Sequence, residues 1–291
     1  MPAAATPPPT RHTALLTVLA MLAFAGNSLL CRAALKTTHI DAASFTSLRL
    51  ASGALVLALL VAWRGRGTAA ALRAWQAGHW ASAAALFVYA AGFSLAYTRL
   101  STATGALLLF GVVQTTMIGW GLWRGERLLR LQWAGLLAAS AGLVWLLLPG
   151  LDTPPLVAGG LMAAAGMAWA VYTLRGRGAG DATAVTAGNF LRATPMALAA
   201  SVVMASQARW DTPGALLALA SGALASGLGY AVWYTALRGL SATRAAIVQL
   251  TVPALAAAGG VLLLGEPMSL RLLGASVAVL GGVALVIKAR R

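Results

Sequence analysis

The chain has 291 residues, of which 60% are hydrophobic and only 9% are charged. Soluble domains carry about 25% charged residues, so this composition excludes an ordinary soluble protein and indicates an integral membrane protein. The net charge of +15 comes from arginines scattered between apolar runs. Without a basic face interleaved with aromatic residues, nucleic acid is not an expected partner.

Ten apolar segments follow one another along the chain, separated by short polar breaks. Roughly 20 apolar residues cross a bilayer as a helix, and no alternating pattern suggests a barrel. We therefore predict an all-α integral membrane protein with ten transmembrane helices, preceded by a disordered Pro/Ala-rich tail over residues 1–11. The predicted helices cover residues 13–35, 42–63, 77–98, 102–123, 131–148, 156–174, 183–206, 213–236, 242–264 and 270–288.

The distribution of basic residues predicts the orientation. An even number of crossings puts both termini on one side, and the loops of that side would carry most of the 21 Lys and Arg residues. Basic loops remain in the cytoplasm during insertion. We expect a multi-pass protein of the cell membrane (inner or plasma membrane) with both termini cytoplasmic.

The two halves of the sequence repeat one another. A shift of about 140 residues places Tyr97-Thr98 on Tyr234-Thr235 and Gly125-Glu126 on Gly265-Glu266. This predicts two five-helix repeats, residues 1–150 and 151–291. Because five is odd, the second repeat must be inverted, and inverted repeats around a midplane site are a recurring architecture of secondary transporters.

Small residues recur four apart on the fifth and tenth predicted helices. Gly135 and Ala139 are one such pair, and Ala278 and Gly282 are another. This spacing lets helices approach closely. We predict that these two helices pack against each other.

Several short motifs resemble a known family. The stretch 25–28 (Ala-Gly-Asn-Ser), which leads to Arg32, and the two Gly-Glu pairs resemble the drug/metabolite transporter superfamily. The stretch 240–246, with Pro253 and 265–267 (Gly-Glu-Pro) after it, is similar to its EamA-type exporters. Among these, the chain is most similar to the YddG-type amino-acid exporters. The resemblance implies efflux of amino acids or similar metabolites by alternating access, through a cavity lined by helices 1, 3, 4, 6, 8 and 9.

Polar and aromatic side chains inside the spans are the candidates for substrate binding. Intramembrane polar groups are costly, and aromatic rings suit amphipathic substrates and attract ammonium groups. Phe24 departs from the resemblance, since many relatives have a Trp there. The predicted substrate-binding residues are Phe24, Asn27, Tyr89, Phe93, Gln114, Trp169, Tyr172, Tyr230, Trp233 and Gln249. Alternatively, the amides join helices and the aromatic stripes are packing, which we favour for Asn189.

Two arginines occupy equivalent places in the repeats. We hypothesise that Arg49 pairs with Glu266 to close the outer side and that Arg192 pairs with Glu126 to close the inner side, one pair breaking as the other forms. Alternatively, each arginine extends to the interface or caps a neighbouring helix.

Two prolines within the predicted spans are candidate hinges. Pro195 and Pro253 each remove a backbone amide from a helix and favour a bend. Alternatively, these kinks serve helix packing alone.

Some features are missing from the sequence, and their absence narrows the function. All six acidic residues lie in loops or at helix ends. Proton-coupled carriers usually use an intramembrane carboxylate, so we expect either uncoupled facilitated diffusion or a carrier poised by the substrate gradient. No phosphate-binding Gly-x-x-x-x-Gly-Lys-Ser/Thr motif is present, which excludes an ATP-driven pump within this chain. Neither a cofactor nor a metal is expected, and the chain is predicted not to be an enzyme.

These observations predict a secondary transporter that exports small metabolites, with amino acids as the leading candidates. Its expected partners are a small-molecule substrate and membrane lipid, and it is expected to be a monomer. One alternative is an intramembrane enzyme acting on a lipid or isoprenoid, which would need polar catalytic groups clustered at an interface. Another is a membrane scaffold or receptor.

Overall fold

The computed structural model describes residues 11–65, 75–125, 128–148, 154–176, 180–240 and 248–288. Within these ranges all regular secondary structure is helical. The helices are α1 Arg11–Thr37, α2 Ala42–Arg64, α3 Trp80–Tyr97, α4 Thr102–Trp123, α5 Arg130–Leu147, α6 Leu156–Arg175, α7 Ala182–Val203, α8 Thr212–Leu237, α9 Thr251–Leu264 and α10 Leu270–Lys288. A short 3₁₀ turn, Ala205–Gln207, follows α7.

Every predicted segment overlaps one of these helices. The bounds agree within a few residues except in the ninth segment, where 241–247 lie outside the described residues. The predicted tail also lies outside them apart from Arg11, which already begins α1.

Seven of the helices described by the structure are long and apolar enough to cross a membrane, namely α1 to α6 and α8. The described parts of α9 and α10 are apolar but shorter. Helix α7 is not among these seven, which we attribute to its polar residues Asn189, Arg192 and several threonines. The protein is therefore an all-helical, multi-pass membrane protein, and ten crossings remain a prediction.

The helices of the first half pack against those of the second half in a regular pattern. The principal contacts are α1 with α8 and α9, α2 with α7 and α8, α3 with α6 and α7, α4 with α6 and α9, and α5 with α10. When the halves are exchanged, each helix is replaced by the one five places along, so that α1 becomes α6 and α8 becomes α3. The pair α1–α8 then becomes α6–α3, α4–α6 becomes α9–α1, and α2–α8 becomes α7–α3. The remaining three pairs are their own counterparts, so the pattern is unchanged by the exchange.

Helices α5 and α10 pack closely through small residues. A Cβ atom on Gly135 would overlap the carbonyl oxygen of Gly282, and a Cβ atom on Gly142 would crowd the side chain of Ala278. Small residues allow such backbone approach between membrane helices. The predicted contact between the fifth and tenth helices is confirmed.

The same pair shows that the starts of α5 and α10 lie at opposite ends of the bundle. Gln132, near the start of α5, donates a hydrogen bond to the carbonyl of Val286, near the end of α10 (3.2 Å). Arg271, near the start of α10, donates to the carbonyl of Trp145, near the end of α5 (3.0 Å). The helices are therefore antiparallel, so the loops before α5 and before α10 lie at opposite ends of the bundle.

Each Gly-Glu pair begins with a glycine in a left-handed conformation. Gly125 after α4 has φ 88° and Gly265 after α9 has φ 60°. Glycine adopts this conformation without the strain that a Cβ atom brings, and it commonly ends helices in this way. The equivalent glycines thus share positive φ angles as well as sequence.

Helix α8 is irregular at its centre and touches the backbone of α2. Its residues Ser221–Leu228 form a π-helix, a feature that is frequent at functional sites. A Cβ atom on Gly222 would overlap the carbonyl oxygen of Arg49 and the hydroxyl of Ser52. The absence of a side chain at Gly222 therefore sets the distance between α2 and α8.

The substitution Gly222→Ala should destabilise the fold. The added methyl group would meet backbone atoms that cannot rotate away, and such overpacking costs about 1–3 kcal/mol. We expect a lower midpoint of thermal unfolding in detergent, followed by tryptophan fluorescence. In the control Gly160→Ala the new methyl group would have no neighbour within 4 Å, so its midpoint should be unchanged or slightly higher. Equal midpoints for the two variants would contradict this prediction.

Candidate substrate cavity and helix closures

A small cavity lies between α1, α3, α4, α6 and α8. Six of the ten predicted substrate-binding residues line it: Phe24, Asn27, Tyr89, Phe93, Trp169 and Tyr230. The cavity volume is about 20 Å³, which holds one or two water molecules. Five of the six helices that the resemblance implied contribute to its wall; α9, in its described part, does not. These six candidates therefore share one space, and its volume in this conformation is too small for a metabolite.

Aromatic rings from four helices fill this space. The ring centroids of Tyr89 on α3 and Trp169 on α6 are 4.8 Å apart, and those of Trp169 and Tyr230 on α8 are 5.2 Å apart. Phe24 on α1 meets Tyr230 edge-on at 5.8 Å. Such ring pairs add about 0.5–1.5 kcal/mol each beyond burial of their area. A substrate must part these rings to enter.

The other four predicted residues lie behind or away from the wall. Tyr172 stacks on Trp169 at 5.4 Å between centroids, and Trp233 meets Phe24 at 5.8 Å. Both therefore support rings that line the cavity. Gln114 is buried in α4 but does not line the cavity, and Gln249 is half-buried in the turn before α9. Their role in binding remains a prediction.

Some lining residues gave no distinctive signal in the sequence. Leu109 and Phe110 on α4 are apolar midspan residues that look the same as packing residues, and Ala225 lies in the π-helix of α8. Ser28 follows the predicted Asn27 and could have been included with it, because both belong to the Ala-Gly-Asn-Ser stretch.

Asn27 joins three helices at the edge of the cavity. Its amide accepts a hydrogen bond from the hydroxyl of Ser221 on α8 (2.7 Å) and donates to the hydroxyl of Tyr89 on α3 (3.5 Å). It is therefore both a lining residue and an interhelical link. Asn189 has the structural role favoured for it, since its Oδ1 accepts from the amide of His79 before α3 (2.9 Å).

Arg49 lies against the cavity wall and is 1% exposed. Its Nε donates to the hydroxyl of Ser226 (3.2 Å) and its Nη2 to the hydroxyl of Tyr89 (3.1 Å). The guanidinium carbon is 4.9 Å from the ring centroid of Phe93. The predicted pairing of Arg49 with Glu266 is wrong in this structure, because the side chain points into the bundle and Glu266 has other partners.

Glu266 instead binds two groups from the first half. Its Oε1 accepts from Nε of Arg32 (2.9 Å), and its Oε2 accepts from the amide of Thr102 at the start of α4 (2.7 Å). Arg32 also donates to the carbonyl of Tyr97 at the end of α3 (2.8 Å). A carboxylate is stabilised at a helix N-terminus, so this cluster ties α1, α3 and α4 to the turn between α9 and α10. We call this end of the bundle the Glu266 end.

Asp41 makes a second connection between the halves. Its Oδ2 accepts from the amide of Arg209, whose carbonyl accepts from the Asp41 amide (3.0 and 3.1 Å). Burial acts to raise the pKa of Asp41, but the hydrogen bonds from Ser44, Arg209 and Ala43 outweigh it and lower the pKa below its usual value. Asp41 therefore stays ionised and caps α2.

Comparison with known proteins identifies the family. Residues 157–288 match the EamA-like transporter family. The Uncharacterized protein PA1977 of Pseudomonas aeruginosa (strain PAO1) is 59% identical over 282 residues, which are 97% of this chain and 96% of that protein. The chain belongs to the EamA-like transporter family. This family lies in the drug/metabolite transporter superfamily, so the protein is a membrane transporter of small molecules.

A solved structure also resembles this EamA-like transporter. It is titled "Crystal structure of protein" and superposes with a TM-score of 0.67 at 20% sequence identity, over 96% of this chain and 99% of its own. At this identity the likeness shows the fold alone.

Near the opposite end of α3 from the Glu266 end lies Arg192, which is also buried. Arg192 donates to the carbonyls of Trp75 and Gly188. Its guanidinium carbon lies 4.5 Å from the ring centroid of Trp75 and 5.6 Å from that of Trp80. Glu126 lies outside the described residues, so its pairing with Arg192 remains a prediction.

The two prolines occupy different positions in their helices. Pro195 lies inside the continuous helix α7. Pro253 lies in the first turn of α9, and the preceding Leu250 keeps right-handed helical angles, with φ −66° and ψ −15°. Proline is tolerated in a first turn because the amide there needs no helical partner. The bend near Pro253 and the role of either proline as a hinge remain predictions.

The substitution Glu266→Gln should open the Glu266 end. The lone cysteine, Cys31, is fully buried beside Arg32 in α1, so it reports on this opening without further engineering. If the lost charge removes about 1.4 kcal/mol from the closed state, the open population rises about tenfold. We expect Cys31 to react correspondingly faster with a water-soluble maleimide in nanodiscs. The control Arg99→Gln removes an exposed charge at the same end and should leave the rate unchanged. Equal rates in the two variants would remove Glu266 from the closure.

Proposed function

We propose that this EamA-like transporter exports amino acids or similar small metabolites by alternating access around the central aromatic cavity. One observation carries the proposal. A narrow cavity walled by aromatic rings and an amide lies where helices of both halves meet, in a chain whose family transports small molecules. Ring faces and polar tips suit amphipathic molecules that have a small polar head.

The same proposal includes two inverted five-helix repeats that cross the membrane ten times. The symmetric helix pairing, the antiparallel α5–α10 pair and the two left-handed glycines support it. Two halves related in this way can rock about a central site and expose it to each side in turn. The family match, which covers residues 157–288, falls within the second of these halves.

The described conformation suggests how access alternates. The cluster of Arg32, Glu266 and Thr102 holds the Glu266 end together, and the aromatic rings occupy the cavity below it. By the orientation that the basic loops favour, the Glu266 end faces outward and both termini face the cytoplasm. Export then requires the cluster to separate after the substrate has entered from inside.

Further points of the proposal rest on the sequence. The likeness to YddG-type exporters favours amino acids as the cargo, in the inner or plasma membrane. Transport is proposed to be uncoupled, because the acidic residues lie in loops or at helix ends. A monomer is proposed because ten helices can enclose the cavity without a partner.

Transport is tested by counterflow in liposomes. Purified protein should exchange labelled neutral or aromatic amino acids without an imposed proton gradient. Trp169→Ala should reduce the rate about tenfold, because losing a ring contact worth about 1.4 kcal/mol corresponds to that factor. Trp123, which is 75% exposed, supplies the control Trp123→Ala with an unchanged rate. No exchange of any amino acid would overturn the proposed cargo, and strict dependence on a pH gradient would overturn uncoupled transport.

A further inference from the structure

The charge of Arg49 lies deep in the bundle without a balancing acid. The residue is seven positions into α2, about 10 Å along the helix axis from its start, and 1% exposed. Among the residues that the structure describes, the ion pair is that of Arg32 with Glu266, and Arg49 has no carboxylate partner. A buried charge without a counter-ion is strongly unfavourable.

One donor atom of the same side chain is also unused. Nε and Nη2 bind Ser226 and Tyr89, whereas Nη1 is buried and has no hydrogen-bond partner among the described residues. A buried donor that lacks an acceptor destabilises the structure in which it occurs. The arrangement therefore has both a free donor and an uncompensated positive charge at one point.

The guanidinium of Arg49 directly contacts side chains that line the cavity. The guanidinium bonds to the hydroxyl of Tyr89 and lies 4.9 Å from the ring centroid of Phe93, and both residues line the cavity. Ser226, its third contact, follows the lining residue Ala225. When a substrate parts the rings, the guanidinium is a full positive charge that contacts two of the lining residues.

The described cavity wall has no negatively charged group that would bind a cation as Arg49 would bind an anion. Its described lining residues include no acid, so an ammonium group would meet ring faces and the amide of Asn27. Ring faces attract a cation more weakly than a guanidinium attracts a carboxylate in a desolvated site. The site is therefore chemically unequal toward the two ends of an amino acid.

We propose that Arg49 binds the carboxylate of the transported molecule, so that the substrate class is apolar or aromatic carboxylates in which the amino group is dispensable. This inference rests on the proposed function and narrows it. The carboxylate supplies the missing counter-charge and the acceptor for Nη1. Arg49 would otherwise be only a cross-link between α2, α3 and α8.

Three closely related compounds separate these possibilities in the wild-type protein. Phenylalanine has both charged groups, 3-phenylpropionate lacks the ammonium, and phenylalaninamide lacks the carboxylate. In competition against labelled phenylalanine counterflow, the propionate should compete about as well as phenylalanine. The amide should be about ten- to a hundredfold weaker, as expected for loss of one charged hydrogen-bonding pair. Equal competition by the amide and the acid would overturn the assignment of Arg49 while leaving transport intact.

Substitutions then assign the effect to the residue. Arg49→Gln should reduce the preference for acid over amide to nearly one, and Arg49→Lys should retain part of it because the charge remains. The control Arg209→Gln, an exposed arginine that contacts Asp41 only through its backbone, should keep the full preference. An undiminished preference in Arg49→Gln would overturn the proposal.

A binding measurement covers the case in which the Arg49 variants fail to fold. The thermal midpoint of the wild-type protein should rise with millimolar 3-phenylpropionate but not with phenylalaninamide. A rise of the same size with sodium chloride alone would identify an inorganic anion site and overturn the proposal. No counterflow with phenylalanine, together with no thermal shift from either organic compound, would instead count against the proposed cargo itself.

Discussion

The contact between α2 and α8 at Gly222 is the constraint on which the site depends. Because Gly222 has no side chain, the carbonyl of Arg49 can lie against it, and α8 adopts a π-helix at this level. The hydroxyls of Ser221 and Ser226 are thereby placed to bind Asn27 and Arg49. Asn27 and Arg49 in turn both donate a hydrogen bond to the hydroxyl of Tyr89. A single close approach between two helices thus organises the polar groups around the aromatic cavity.

The buried charged groups at the end and at the centre of the bundle differ in whether they have partners within the described part of the chain. At the Glu266 end, the carboxylate meets a guanidinium and a helix N-terminus, so its charge is balanced within the chain. At the centre, Arg49 has a hydroxyl pair and aromatic faces but an unused Nη1. In an apolar surrounding an unsatisfied polar group is costly. The paired Glu266 holds helices together, whereas Arg49, with no counter-ion among the residues described, is suited to an external ligand.

Much of the fold could be predicted because it depends on features that are local along the chain. Hydropathy located the ten helical segments, and the small residues of α5 and α10 identified their contact. Six cavity residues were found because midspan amides and aromatic rings are unusual in lipid. The pairing of Arg49 with Glu266 was wrong because equivalent positions in two repeats do not specify which atoms meet. Arg32, which lies within α1, binds Glu266 instead, a pair that was not predicted from the sequence.

The sequence alone determined that the chain is helical and membrane-embedded and that its halves share a pattern, since these follow from composition and from residues close in sequence. Only the tertiary structure decided which polar groups meet. The contact at Gly222 and the lack of a carboxylate partner for Arg49 among the described residues depend on helices that are distant in the chain. Their side chains meet through packing in three dimensions, and no periodicity within a single helix encodes that meeting.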